Sequence, residues 1–104
     1  MGNPKTYKVE WTQTAGADLA AIVEFIVRDS IAPALSILNR IEQRAETLTT
    51  RPKRSRTVPV LTAVGIQMYR EIIVSPWRIV YRTAGDTAYI LAVMDGRRNL
   101  EDLL

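Results

Sequence analysis

The stretch from Tyr69 to Leu104 constrains the fold more than any other part of the chain. It holds three strand-like runs in a row, separated by connections too short to contain a helix. Tyr69–Val74 is rich in β-branched and aromatic residues and is broken by Ser75-Pro76. Trp77–Arg82 alternates apolar with basic or apolar residues and is broken by Ala84-Gly85-Asp86. Thr87–Met94 is the longest apolar run in the chain. Strands bounded by Pro and Gly turn residues, with such short links, predict an antiparallel meander. Arg70, Arg78, Arg82, Arg97 and Arg98 decorate it. A sheet carrying so many guanidinium groups is either a recognition surface or a solvated face.

The residues before this meander predict its cover. Tyr7, Val9 and Trp11 alternate with Lys8 and Glu10, the pattern of a half-buried strand. Thr12 or Thr14 then serves as an N-cap. Leu19, Ile22, Val23 and Ile26 recur at helical spacing, predicting a first helix over 14–29. Ser30 caps a second helix that carries Pro33 in its first turn, where proline is tolerated. Its stripe of Ala34, Ile37, Leu38, Ile41, Ala45 and Leu48 runs to about Thr49. Stripes of this kind face a core, so the two helices form an antiparallel hairpin on one sheet face. The fold class is therefore α+β: two layers, with an N-terminal strand, a helical hairpin and a three-stranded meander.

Which sheet face the hairpin covers stays open at this level. Strict alternation puts Arg70 with Ile72 and Val74, and Arg78 with Val80 and Arg82, while Trp77, Ile79 and Tyr81 share the opposite side. A bulge would reverse the assignment. Between hairpin and meander, Arg51–Arg56 reads RPKRSR, four cations in six residues with no acid. Pro52 and Pro59 exclude regular helix, so Arg51–Gly65 is expected to be a loop, with a short strand at Val58–Leu61.

The chain has 104 residues, which predicts one domain over 1–104. It has no cysteine and no histidine. That removes disulfides, Ser-His-Asp and Cys-His arrangements and the ordinary zinc site, and no metal or small-molecule cofactor is expected. The five glycines are scattered, so there is no phosphate-binding glycine loop. No apolar run approaches the ~20 residues that span a bilayer, and MGNPKTYK lacks a signal-peptide core. A soluble cytoplasmic protein is the expectation.

What remains is cationic, although the net charge is only +3. Arginine forks match phosphates and carboxylates. Trp77, Tyr69 and Tyr81 could stack on bases, or could equally serve sheet packing together with Tyr89. The basic loop could equally be a solvated connector.

The order of elements and several local patterns resemble the RelE/ParE superfamily of type II toxin–antitoxin toxins. Tyr7-x-Val9-x-Trp11-Thr12 followed by Ala15-x-x-Asp18-Leu19-x-x-Ile22 is similar to the family's opening strand and helix. Leu48-x-x-x-Pro52 and Arg56-x-Val58-Pro59 resemble its helix exit and linker. Arg70-Glu71 and Pro76-Trp77-Arg78-Ile79-Val80-Tyr81-Arg82 resemble its central strands. Ile90-Leu91-Ala92-Val93 and Gly96-Arg97-Arg98 resemble its last strand and exit. The match covers nearly the whole chain.

The resemblance implies a toxin of the plasmid-stabilisation type, paired with a cognate antitoxin. ParE-like members inhibit DNA gyrase, and RelE-like members cut messenger RNA in the ribosomal A site. The linker, the Arg70-Glu71 pair and the Gly96-Arg97-Arg98 exit look more like the ParE branch. Asp95 stands where many relatives carry histidine. On this reading Arg70, Arg78, Arg97 and Arg98 bind the target, and Leu100, Leu103 and Leu104 meet the antitoxin. The alternative is a ribosome-dependent endoribonuclease, in which Lys53, Arg56, Arg70, Arg78, Tyr81 and Arg97 surround the scissile phosphate. A third reading, a domain acting only within its antitoxin complex, stands beside them.

Overall fold

A computed structural model describes residues 6–96. The elements follow in the order β1 (Lys8–Trp11), α1 (Gln13–Val27), α2 (Ile31–Glu46), a 3-10 turn (Thr47–Thr49), α3 (Pro59–Thr62), β2 (Arg70–Val74), β3 (Trp77–Ala84) and β4 (Thr87–Asp95). This is the expected α+β arrangement, with the hairpin of α1 and α2 laid on one sheet. Of the two cap candidates for α1, Thr12 is the one used. Its hydroxyl accepts the Ala15 N–H at 3.2 Å and donates to the Ile90 carbonyl at 2.8 Å, tying the helix start to β4. The helix ends at Val27, because the Asp29 and Ser30 N–H groups both turn back to the Ile26 carbonyl. Ser30 holds the N-cap position of α2 with extended backbone but makes no side-chain cap bond.

The sheet order is β1-β4-β3-β2, with β1 parallel to β4 and the other pairs antiparallel. The turn between β3 and β4 places Gly85 at φ 61°, a conformation glycine adopts without a Cβ penalty. Where Val80 pairs Ala92 and Tyr81 pairs Ile90, Leu91 is an extra residue, a β-bulge in β4. The bulge resets the alternation, so Ala88, Ile90 and Val93 all join the core cluster. At this irregularity the Asp18 carboxylate accepts the Val93 N–H at 3.0 Å, a partner that no strand supplies.

The core lies between the hairpin and one sheet face. Ala15, Ile41, Ala45 and Leu48 meet Ile72, Val74, Ile79, Tyr81, Ile90 and Val93. That decides which face the helices cover: it is the side of Ile72, Ile79 and Tyr81. Each fully buried aliphatic side chain there contributes about 1.5–3 kcal/mol by leaving water.

The linker differs from expectation at Val58–Leu61, which is not a strand. Pro59 opens the single helical turn of α3, and the Thr62 hydroxyl donates back to the Val58 carbonyl at 3.0 Å. Proline without an N–H suits a first helical position and cannot serve a strand ladder. The strand-like contact falls one residue earlier, as an isolated antiparallel bridge between Thr57 and Arg70.

Candidate functional site

The basic loop is pinned to the sheet at three points. The Tyr81 hydroxyl donates to the Pro52 carbonyl at 2.5 Å. Arg70 Nη1 donates to the Ser55 carbonyl at 2.6 Å. The Glu71 N–H donates to the Arg56 carbonyl at 3.0 Å. Arg51, Lys53 and Arg54 stay exposed along this path. A cleft of about 860 Å³ opens between the loop and the end of α2, lined by Arg44, Arg51, Arg54, Glu46 and Ser55 among others.

At the far end of the loop lies Glu71, whose side chain is fully buried. Arg56 grips its Oε1 with Nε at 2.9 Å and Nη2 at 2.7 Å. Arg78 Nη1 stands 3.6 Å from Oε2, an ion pair without a hydrogen bond. Oε2 finds no donor at hydrogen-bond distance among the described residues. A buried carboxylate persists only with such cationic partners. Two guanidinium groups therefore converge on one carboxylate, and the cluster keeps a net positive charge.

The register places the candidate residues on different sides. Arg70 pairs Tyr81 across the strands and shares the helix-covered side, where it holds the loop. Arg78 pairs Ile73 and Met94 and shares the other side with Glu71 and Val80. Arg70 and Arg78 are thus separated by the sheet. Tyr81 has no exposed surface, and burial raises its hydroxyl pKa above the usual 10, against the pull of Ser55 and the Arg70 charge. Trp77 is half-buried against the core, and its indole N–H has no acceptor among the described residues. Arg97, Arg98, Leu100, Leu103 and Leu104 lie outside the described residues.

The described chain reaches Gly96 in a tight place. Its N–H donates to the Pro76 carbonyl at 2.5 Å, and a Cβ there would sit 2.7 Å from that oxygen and 3.3 Å from Arg78 Cγ. Glycine at this position lets the end of β4 close onto the β2–β3 turn beside Arg78. Among the described residues, no group of three or more acidic, histidine or cysteine side chains is placed to hold a metal. No helix among the described residues is long and apolar enough to cross a membrane.

Sequence reasoning missed the Asp18–Val93 contact and the role of Arg56 as the main partner of Glu71. The first depends on a bulge that periodicity does not reveal. The second joins residues 15 positions apart across a loop.

Comparison with known proteins decides the family. The model for the ParE toxin of the type II toxin–antitoxin system parDE matches residues 9–100. The chain belongs to the ParE toxin family. Toxin ParE3 of Caulobacter vibrioides is 30% identical over 90 residues, covering 86% of each chain. Among solved structures, the chromosomal ParDE toxin–antitoxin system of P. aeruginosa is similar, with a TM-score of 0.71, 21% identity, and coverage of 88% of this chain and 97% of that one. The toxin–antitoxin complex RelBE2 of Mycobacterium tuberculosis has a TM-score of 0.62 at 21% identity, covering 86% of this chain and 98% of that one. At such identity these two structures establish the fold, and the family match establishes a type II toxin of the ParE branch.

Proposed function

We propose that this ParE-family toxin inhibits DNA gyrase in the cytoplasm by binding it, and that a cognate antitoxin holds it inactive. The observation that carries this reading is that the two candidate proton carriers set among the sheet arginines, Tyr81 and Glu71, are both buried and already engaged. Cutting RNA through its 2′-hydroxyl needs a base and an acid beside the phosphate. Arginine stays protonated and cannot shuttle protons. Tyr81 is buried, donates to Pro52, and has its pKa raised by burial. Glu71 is buried against Arg56. A binding role needs no such acceptor.

The hairpin supports the antitoxin half. An apolar groove of about 400 Å³, lined by Leu19, Val23 and Leu38 among others, runs along α1 and α2, and Phe25, Ile31 and Leu35 stand exposed on the same hairpin. A partner's amphipathic helix fits such a groove. Leu100, Leu103 and Leu104 are further proposed antitoxin contacts, and Arg97 and Arg98 further target contacts.

The cleft lined by Arg44, Arg51 and Arg54, with Lys53 exposed nearby, favours the second reading, a ribosome-dependent endoribonuclease that holds an RNA backbone there. Two parallel assays on antitoxin-free protein separate the readings. Inhibition of gyrase supercoiling with message intact on ribosomes is the expected result. Message cleavage with supercoiling untouched would replace this reading with the nuclease.

A further inference from the structure

Among the described residues, no helix lies over the sheet face opposite the hairpin. Ile73, Arg78, Val80, Arg82, Tyr89 and Met94 share that side through the β2–β3–β4 register. Ile73 is 42% exposed, and Arg78, Arg82, Tyr89 and Met94 are half-buried. We propose that this open face, centred on Arg78 and Ile73, is where the toxin grips its target, and that the target presents an acidic protein segment with apolar flanks. The proposal takes the target's name from the gyrase reading above, but the surface does not depend on it.

Charge complementarity argues for an acidic occupant. Lys8, Arg56, Arg78 and Arg82 lie on or at the edge of this side, against the carboxylates of Glu10 and Glu71. Glu71 is buried and already engaged by Arg56, so the surface an approaching partner meets is cationic. The same carboxylate holds Arg56 and Arg78 in place before any partner arrives, which reduces the side-chain entropy lost on docking. The apolar residues between the cations argue for a protein rather than a phosphate backbone. Ile73 and Met94 flank Arg78 on the neighbouring strands, the mixture of apolar centre and arginine found in protein interfaces. A phosphate backbone is tracked instead by cations along a groove. Another exposed apolar surface, at Phe25, Ile31 and Leu35, lies on the hairpin, beside the apolar groove of Leu19, Val23 and Leu38. The two partners of the toxin are thereby assigned to opposite sides of the molecule.

The test expresses the full chain carrying Ile73→Glu or Arg82→Glu on the open face, Arg78→Gln as a milder change, or Phe25→Glu and Leu35→Glu on the hairpin. Growth arrest, gyrase supercoiling, co-purification with the cognate antitoxin and the melting temperature are measured for each. The open-face variants are expected to lose about tenfold or more in arrest potency while still folding and still co-purifying with antitoxin. The hairpin variants are expected to show the reverse. Open-face variants that arrest growth as strongly as the unmodified chain overturn the proposal, as do open-face variants that lose antitoxin but keep arrest. An unmodified chain that does not arrest growth overturns it too. If the unmodified chain arrests growth without touching gyrase, the gyrase reading falls, and arrest by the variants still decides the surface. Binding of a short single-stranded RNA that falls in step with arrest would make the partner a phosphate backbone and overturn the acidic-protein assignment.

Discussion

The covered face of the sheet is closed by hydrocarbon. Ile72, Ile79, Ile90 and Val93 meet Ile41, Ala45 and Leu48, and the fixed geometry comes from close packing. The opposite face of the same strands is organised by charge. There the fully buried Glu71 draws in Arg56 and Arg78, one of which is bonded at 2.7 Å and the other poised at 3.6 Å. The difference teaches how a face can be ordered by charge where, among the described residues, no helix lies over it. Hydrocarbon holds its shape only when something lies on top of it, whereas a buried carboxylate can organise arginines whose outer surfaces stay in water. Arg56 illustrates this, with 56% of its side chain exposed while its Nε and Nη2 hold Glu71.

The contrast can be broken or sharpened by mutation. The largest effect belongs to the covered face. Ile79→Ala, at a residue with no exposed surface, is expected to cost about 4 kcal/mol in urea denaturation, because the cavity has packed walls on every side. A cost below about 1 kcal/mol would mean that this face is not held by packing. Next comes the charged cluster. Arg56→Ala strands a fully buried carboxylate and should cost about 3 kcal/mol. The figure sits at the low end of the range for such pairs because Arg78, 3.6 Å away, can move in and partly replace the lost guanidinium. Indifference to Arg56→Ala would show that Glu71 does not organise the open face.

Tyr81 joins the two regions, since it sits in the apolar core and reaches the basic loop. Tyr81→Phe removes the bond to the Pro52 carbonyl and is expected to cost about 1–2 kcal/mol. Its pKa is raised in the folded chain, so its stabilising contribution is fully present below pH 10. Above that pH the unfolded phenol ionises first, and the contribution is lost as pH rises towards the folded value. Denaturation midpoints at about pH 8 and about pH 11 should therefore fall more steeply for the unmodified chain than for Tyr81→Phe. Equal slopes would contradict a buried phenol. The smallest effect is expected at Ile73→Ala, within about 0.5 kcal/mol for a residue 42% exposed. A large loss there would mean the open face is part of the core.

The elements themselves were legible in the chain. The two helical stripes, the Pro and Gly turns of the meander and a threonine cap at Thr12 or Thr14 each depend on neighbours a few residues away. The site was legible in composition but not in arrangement. Arg70 and Arg78 read as partners in sequence, yet eight positions of strand and turn place them on opposite sides. Tyr81 read as a candidate reactive group, and in the folded chain it is a buried tether for Pro52. The strand expected at Val58–Leu61 became the turn of α3, because Pro59 suits a first helical position better than a ladder.

By itself, then, the sequence determined the α+β order of elements, the hairpin, the meander and the absence of histidine and thiol chemistry. Those properties follow from composition and from periodicities of two and 3.6 residues, which are local. The tertiary structure decided that β1 joins β4 in parallel, that Leu91 bulges and shifts Val93 into the core, and that Glu71 gathers Arg56 and Arg78. It also decided which face the hairpin covers and which face, among the described residues, has no helix over it. These depend on strand partners and on charges brought together from distant positions, and a one-residue change of register would reverse them.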